Sequence, residues 1–271
     1  MAVHDTLSGH AIGPASDGHQ VVQAPIAGKL IELWDWPLRL FHWALVVCVS
    51  TALVTGWLGG GWMPVHALAG ETIVGLLVFR ISWGFFGSSH ARFHHFLPTP
   101  AQIRAYLTGQ WSGVGHNPLG ALSVLALLLL LTAQVATGLV GNDDISFVGP
   151  LAAQVSEELS HRLTGIHHVL AKVLYGLVAL HIGAIVFYLL VKRSNLVPPM
   201  IHGKKLVSAE TPTPVRHTPT GLFTSVVLGL AAALLAGGLG QRPAPQSPPE
   251  KVDTPNAAPA TPTPSQVTPG W

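Results

Sequence analysis

Four histidines, His42, His66, His167 and His181, fall within strongly apolar stretches of the chain. His167 and His181 stand 14 positions apart on one predicted helix. At about 100° and 1.5 Å per residue, that spacing returns to nearly the same helix face about 21 Å further on. An ionisable side chain at membrane depth is costly and tends to face a partner or a cavity. Imidazole is an axial ligand of haem iron, and two imidazoles from different helices fill both axial positions, which favours electron transfer over oxygen binding. One helix carrying ligands at two depths can therefore serve two haems.

The elements that position these residues are membrane spans. Of 271 residues, 49% are apolar and 10% charged, and the mean hydropathy is +0.46, too little charge to solvate an ordinary globule. Apolar segments long enough to cross roughly 30 Å of hydrocarbon run from about Leu38 to Leu58, His66 to Phe86, Leu119 to Val140, Ile166 to Val191 and Leu222 to Leu239. The fold class expected is all-α. The fifth segment is rich in Gly and Ala, which suits close helix contact. Trp34, Trp36, Trp57, Trp62 and Trp83 stand near the expected interfaces.

Orientation follows from the cations in short connections, which accumulate on the cytoplasmic side. The segment Ser88 to Pro118 holds Arg92 and Arg104 and no acid, whereas Asn142 to Gly165 holds Asp143, Asp144, Glu157 and Glu158 against Arg162. Lys29, Lys192, Arg193, Lys204 and Lys205 agree, so the chain is expected as a multi-pass protein of the bacterial inner membrane with a cytoplasmic N-terminus. Depth then sorts the histidines into two ligand pairs, His66 with His167 towards the periplasm and His42 with His181 towards the cytoplasm. His42 is about five residues from its boundary and His181 about ten, a mismatch that helix tilt must absorb.

His168 competes with His167 as a ligand but lies about 100° round the helix, leaving it to line the haem pocket, bond a propionate or lie near a quinone. Arg80, 14 residues after His66, shares that histidine's face at the other depth and is a candidate propionate clamp, since a guanidinium fork matches a carboxylate; the alternative is an arginine snorkelling to headgroups. Arg39 is a further propionate or lipid-phosphate candidate. Glu71 and Lys172 share a depth and are expected to pair across the helix interface, with Lys172 alternatively reaching a propionate. The remaining histidines, including His90, His94, His95, His116, His202 and His217 in cytoplasmic segments and His161 in the periplasmic loop, read mostly as solvated surface.

The single Cys48 excludes a disulfide framework, a CxxC metal site and covalent haem attachment, so any haem is b-type. Neither a nucleotide-binding, phosphate-cradling nor nucleophile-elbow motif is evident, and nothing suggests nucleic acid as a partner. The organisation expected is a cytoplasmic arm over residues 1–30, a two-haem domain over 31–195, a cytoplasmic linker over 196–218, a fifth transmembrane helix over 219–240 and a disordered periplasmic tail rich in Pro over 241–271.

The run WDWPLRLFHW at residues 34–43, H-x3-G and R-x-x-W-G-F-x-G with HARF between 66 and 93, GHNPLGA at 115–121, ATGL at 136–139 and the H-x13-H of the fourth span together resemble the bacterial cytochrome b561 family, in its branch of nickel-iron hydrogenase cytochrome b subunits. The resemblance covers roughly residues 30–195. It implies a four-helix membrane bundle with two b haems on His42, His66, His167 and His181, to which the fifth helix is an addition. It also implies electron transfer between a periplasmic redox partner, a c-type cytochrome or a redox-enzyme subunit, and membrane quinone. Two other functions stay open. One is quinone-coupled superoxide oxidation, with Lys172, Arg162 and the pair His167/His168 attracting the anion against four loop acids. The other is a membrane anchor or scaffold that joins a larger complex through its C-terminal helix and tail, in which case removing residues 219–271 spares the haem.

Overall fold

In a computed structural model of the chain, residues 28–145, 147–209, 211, 214 and 217–240 are described. The rest of the N-terminal arm and the Pro-rich tail lie outside the described residues. The described chain begins with strand β1 (Gly28–Glu32) and continues through helices α1 (Trp36–Leu58), α2 (Met63–Phe86), α3 (Phe93–Phe96), α4 (Pro100–Leu107), α5 (Pro118–Leu139), α6 (Glu157–Leu190) and α7 (Val197–His202) to strand β2 (Lys204–Ser208) and helix α8 (Pro219–Gly240). Five of these helices, α1, α2, α5, α6 and α8, are long and apolar enough to cross a membrane. Their outward leucines, such as Leu129, Leu180 and Leu234, are 68–75% exposed, which hydrocarbon tolerates and water does not.

Three of the long helices, α1, α5 and α6, begin where the sequence supplies an acceptor for their first free N–H groups. Asp35 accepts from the Leu38 amide at 3.0 Å, Asn117 from that of Gly120 at 2.7 Å and Ser156 from that of Leu159 at 3.3 Å, contacts that contribute about 1 kcal/mol each. Prolines stand in the first turns of α1, α2 and α5, where their missing N–H leaves no bond unmade. We call the end of the bundle where α1 begins the proximal end and the other the distal end. α1 packs along α2 and α5 along α6, with α2 touching α5, whereas α1 and α6 approach each other at few points. A slot therefore separates the two helix pairs.

Three features depart from or add to the sequence expectation. First, residues 28–30, counted with the arm, begin a strand, and residues 197–208 of the linker form α7 and β2. β1 and β2 pair antiparallel with Glu32 opposite Lys204, an attractive cross-strand couple. Leu33 and Trp34 donate to the Gly203 carbonyl at 2.7 and 3.1 Å. Gly203 takes φ +81°, and a Cβ there would fall 2.6 Å from the Trp34 carbonyl oxygen, so the residue must be Gly. Second, α8, the addition to the four-helix core, is joined to that core along α2. It lies antiparallel along α2, with Gly229 and Ala233 against Gly75, the Ser82 and Ser225 hydroxyls 2.9 Å apart and Gly221 against Phe86. Small residues let the two backbones meet. Third, α6 begins nine residues before the expected span, so that His161 sits on a helix and not in a loop, 3.4 Å from Asp144 and 3.7 Å from Glu157.

Trp34 and Trp83 are also not interfacial anchors. They are 8% and 0% exposed and join Leu33, Leu38, Phe41 and Ala91 in a proximal core cluster. The Trp83 indole donates to Asp35 at 3.2 Å, and the His217 ring packs against it, tilted by 56° with centroids 5.2 Å apart. Trp36, Trp57 and Trp62, at 49%, 80% and 54% exposure, keep the outward position expected of aromatics at a membrane boundary.

Candidate functional site

At the distal end, α2 presents His66 and α6 presents His167 with ring centroids 6.2 Å apart. Two imidazoles on one metal ion, bonded at about 2.0–2.1 Å through nitrogens roughly 1.1 Å from the ring centres, hold their centroids roughly 6 Å apart. Both rings are oriented through Nδ1, that of His66 on the Ala52 carbonyl at 2.9 Å and that of His167 on the Gln134 carbonyl at 2.9 Å. Such a bond protonates Nδ1 and leaves Nε2 as the coordinating atom. For His167 that lone pair is taken by the Gln134 side-chain amide, which donates from 3.0 Å.

Neighbouring helices make room for both rings with glycine. A Cβ on Gly56 of α1 would meet the His66 ring at 3.0 Å, and one on Gly138 of α5 would meet the His167 ring at 3.0 Å. Around the pair lies a cavity of about 650 Å³ walled by α1, α2, α5 and α6, within the ~300–1,000 Å³ of ordinary cofactor sites. Its lining is mostly apolar and includes His168, Glu71, Lys172 and Gln134. The cavity, the two glycine cradles and the fixed imidazole tautomers fit a haem.

His168 lies against His167, at 6.3 Å between ring centroids, and is exposed. Glu71 and Lys172 share the cavity wall but form no ion pair among the described residues. The Glu71 carboxylate is turned instead towards α8, with Oε2 3.0 Å from the position a Gly237 Cβ would take. A helix with no place in the expected four-helix core thus redirects the acid.

At the proximal end, His42 of α1 and His181 of α6 are close enough to interact electrostatically. α6 continues nine residues beyond His181, whereas α1 begins six residues before His42, so the depth offset read from the sequence remains for helix tilt to absorb. His42 Nδ1 is buried without a partner among the described residues, an open donor or acceptor beside the slot. Arg80 is 2% exposed, which rules out snorkelling, and its guanidinium lies 4.9 Å from the Phe93 ring and 5.8 Å from the Phe96 ring, with Nη1 unbonded. Arg39 donates through Nη1 to the Ile201 carbonyl, and Trp43 to that of Met200 at 3.1 Å. Arg39 thereby clamps α7 to α1, an arrangement a local sequence signal cannot reveal, since its partner is 162 residues away.

The connection from Ser88 to Asn117 is not solvated surface throughout. It folds over the proximal end, bringing Phe93 and Phe96 to Arg80 and seating His116 against Trp34 at 4.5 Å and Phe96 at 5.4 Å. Burial, and next the positive Arg80, push His116 down to about 4, while burial followed by His95 lowers His90. His116, His90 and Gln134 are the site neighbours that sequence reasoning misses. Gln134 stands out only as a lone amide in an apolar run, and the two histidines only through their place in a loop whose path periodicity does not predict.

Comparison with known proteins bears on the chain as a whole. A sequence profile described as prokaryotic cytochrome b561 matches residues 33–203, so α8 lies beyond it. The probable Ni/Fe-hydrogenase 1 B-type cytochrome subunit of Escherichia coli (strain K12) is 23% identical, over 39% of this chain and 57% of that protein; the chain thus spans little more than half the length of this relative. The probable Ni/Fe-hydrogenase B-type cytochrome subunit of Rhizobium leguminosarum bv. viciae is 23% identical over 76% of this chain and 98% of that protein. That of Azotobacter vinelandii is 26% identical over 72% and 95%.

Proposed function

Because the chain belongs to the prokaryotic cytochrome b561 family, a multi-pass membrane cytochrome of b type, we propose that it carries electrons between two haems, one held by His66 and His167 and one by His42 and His181. The observation that carries this reading is the distal imidazole pair, 6.2 Å between centroids, inside a cavity of about 650 Å³. Haem b held there supplies a one-electron carrier whose potential the surrounding protein sets.

The chain's own residues do the rest. The Ala52 and Gln134 carbonyls hold each Nδ1 proton, which keeps Nε2 basic and fixes the ring plane. Gly56 and Gly138 give the rings their clearance. The apolar walls exclude water and lower the local dielectric, while Arg80 places a buried positive charge near the proximal pair. α6 bridges the two sites, with ligands about 21 Å apart along its axis.

In the bacterial inner membrane, with the N-terminus cytoplasmic as loop cations indicate, the distal site faces the periplasm. A redox-enzyme subunit or c-type cytochrome exchanges electrons there, as the names of the relatives suggest for a hydrogenase, and membrane quinone is the other terminus. Asp143 at the cavity wall and Asp144 beside it disfavour an anionic substrate such as superoxide. Redox titration of the purified protein is expected to resolve two one-electron steps. Replacing His66 with Leu is expected to remove one step and leave the other; retention of both steps would refute the pairing.

A further inference from the structure

Unsatisfied nitrogen collects at the proximal end. Arg80 Nη1, His90 Nδ1, His116 Nδ1 and His42 Nδ1 are all buried without a hydrogen-bond partner among the described residues. Each unmade bond leaves the desolvation of its group uncompensated, and an unpaired buried charge costs more still. The two phenyl faces on Arg80 offset only part of that cost, so the cluster as it stands is short of an acceptor.

The groups are neighbours. Phe96 touches both Arg80, at 5.8 Å, and His116, at 5.4 Å between rings. Trp34 touches both His116, at 4.5 Å, and His90, at 6.3 Å. His116 lies within electrostatic reach of Arg80, His90, His181 and His42. Asp35, the carboxylate that acts on Arg80, is committed to the Leu38 amide and the Trp83 indole. A cavity of about 120 Å³ lined by Trp34, His90, His95, Gln102 and His116 adjoins the cluster, so a small polar group can reach the imidazoles. Positive charge and neutral N–H donors with no free acid among them suit an anion, and a planar one matches the guanidinium fork.

We propose that His116 and His90 form, with Arg80, a carboxylate-binding pocket that takes a propionate of the haem held by His42 and His181. The proposal rests on the two-haem reading above. The imidazole N–H groups donate to the carboxylate oxygens, and Arg80 neutralises the charge. His116 thereby anchors the cofactor from the loop that leads into α5.

The test uses full-length protein grown with haem labelled by ¹³C at the propionate carboxyls, compared as wild type, His116→Leu and His116→Gln. In His116→Leu the carboxylate charge is less well compensated, which favours the oxidised iron. At fixed potential, the oxidised-to-reduced ratio of one haem is expected to rise about tenfold, or about 59 mV for one electron, and the label-sensitive carboxylate band in the redox infrared difference spectrum to move. His116→Gln, which keeps an N–H donor, is expected to retain both haems, change the ratio less than about threefold and still shift the band; it carries the test if the Leu variant fails to assemble. Two haems with the ratio and band unaltered in both variants would overturn the pocket. A wild type with fewer than two haems would instead bring down the reading beneath it.

Discussion

His167 depends on two neighbours of opposite consequence. Gly138 leaves space for its ring, with an added Cβ only 3.0 Å away, whereas the Gln134 amide occupies the nitrogen that a metal would need. Gly138→Val is therefore expected to displace the ring and lose one haem per chain, while Gln134→Leu removes a competitor and is expected to retain both; haem quantification on the purified variants distinguishes the two. Gly176→Ala, with open space around the new methyl, is the helical control and should keep full haem content. The histidines themselves stand out in the chain because an ionisable side chain inside an apolar segment is costly. Their supports stand out less: Gly56 and Gly138 resemble any membrane-helix glycine, and His116 is a loop residue whose burial depends on where the Ser88–Asn117 connection folds.

At the scale of elements, the five spanning helices follow from hydropathy alone, yet their partnerships do not. The contact of α8 with α2 rests on Gly75, Ser82, Ser225, Gly229 and Ala233 meeting in register, and composition announces only that α8 can pack closely. The strand pair and the Arg39 clamp join segments far apart in sequence, where local patterning carries no information. Gly229→Leu would drive a side chain into the Gly75 carbonyl and Phe79, 2.8 and 3.0 Å from the new Cβ. Overpacking of this kind costs typically 1–3 kcal/mol, so the melting temperature in detergent should fall by roughly 2–12 °C. The Ser82→Ala, Ser225→Ala double variant loses one interhelical hydrogen bond, on average about 0.6 kcal/mol within a membrane, and should shift the melt by only about 1–3 °C. Because α2 carries both His66 and Arg80, α8 supports the helix that serves both sites, and removal of residues 219–271 is expected to destabilise the protein as well as to release any partner bound to the tail.

For the whole molecule, the account requires the two imidazole pairs to lie towards opposite membrane faces. Ile145, 92% exposed in the connection between α5 and α6, and Leu107, 69% exposed at the end of α4, report the two sides. With Cys48 replaced by Ala, a cysteine introduced at Ile145 is expected to react with a membrane-impermeant maleimide in intact spheroplasts, and one at Leu107 only after lysis; the reverse pattern would invert the assignment of faces. The most direct measurement of the central claim is haem extracted and quantified per chain, alongside the dithionite-reduced minus oxidised spectrum. Two b haems in the wild type and one in the His167→Leu variant are the predicted result. A wild type holding a single haem, or a His167→Leu variant with undiminished content, would contradict it.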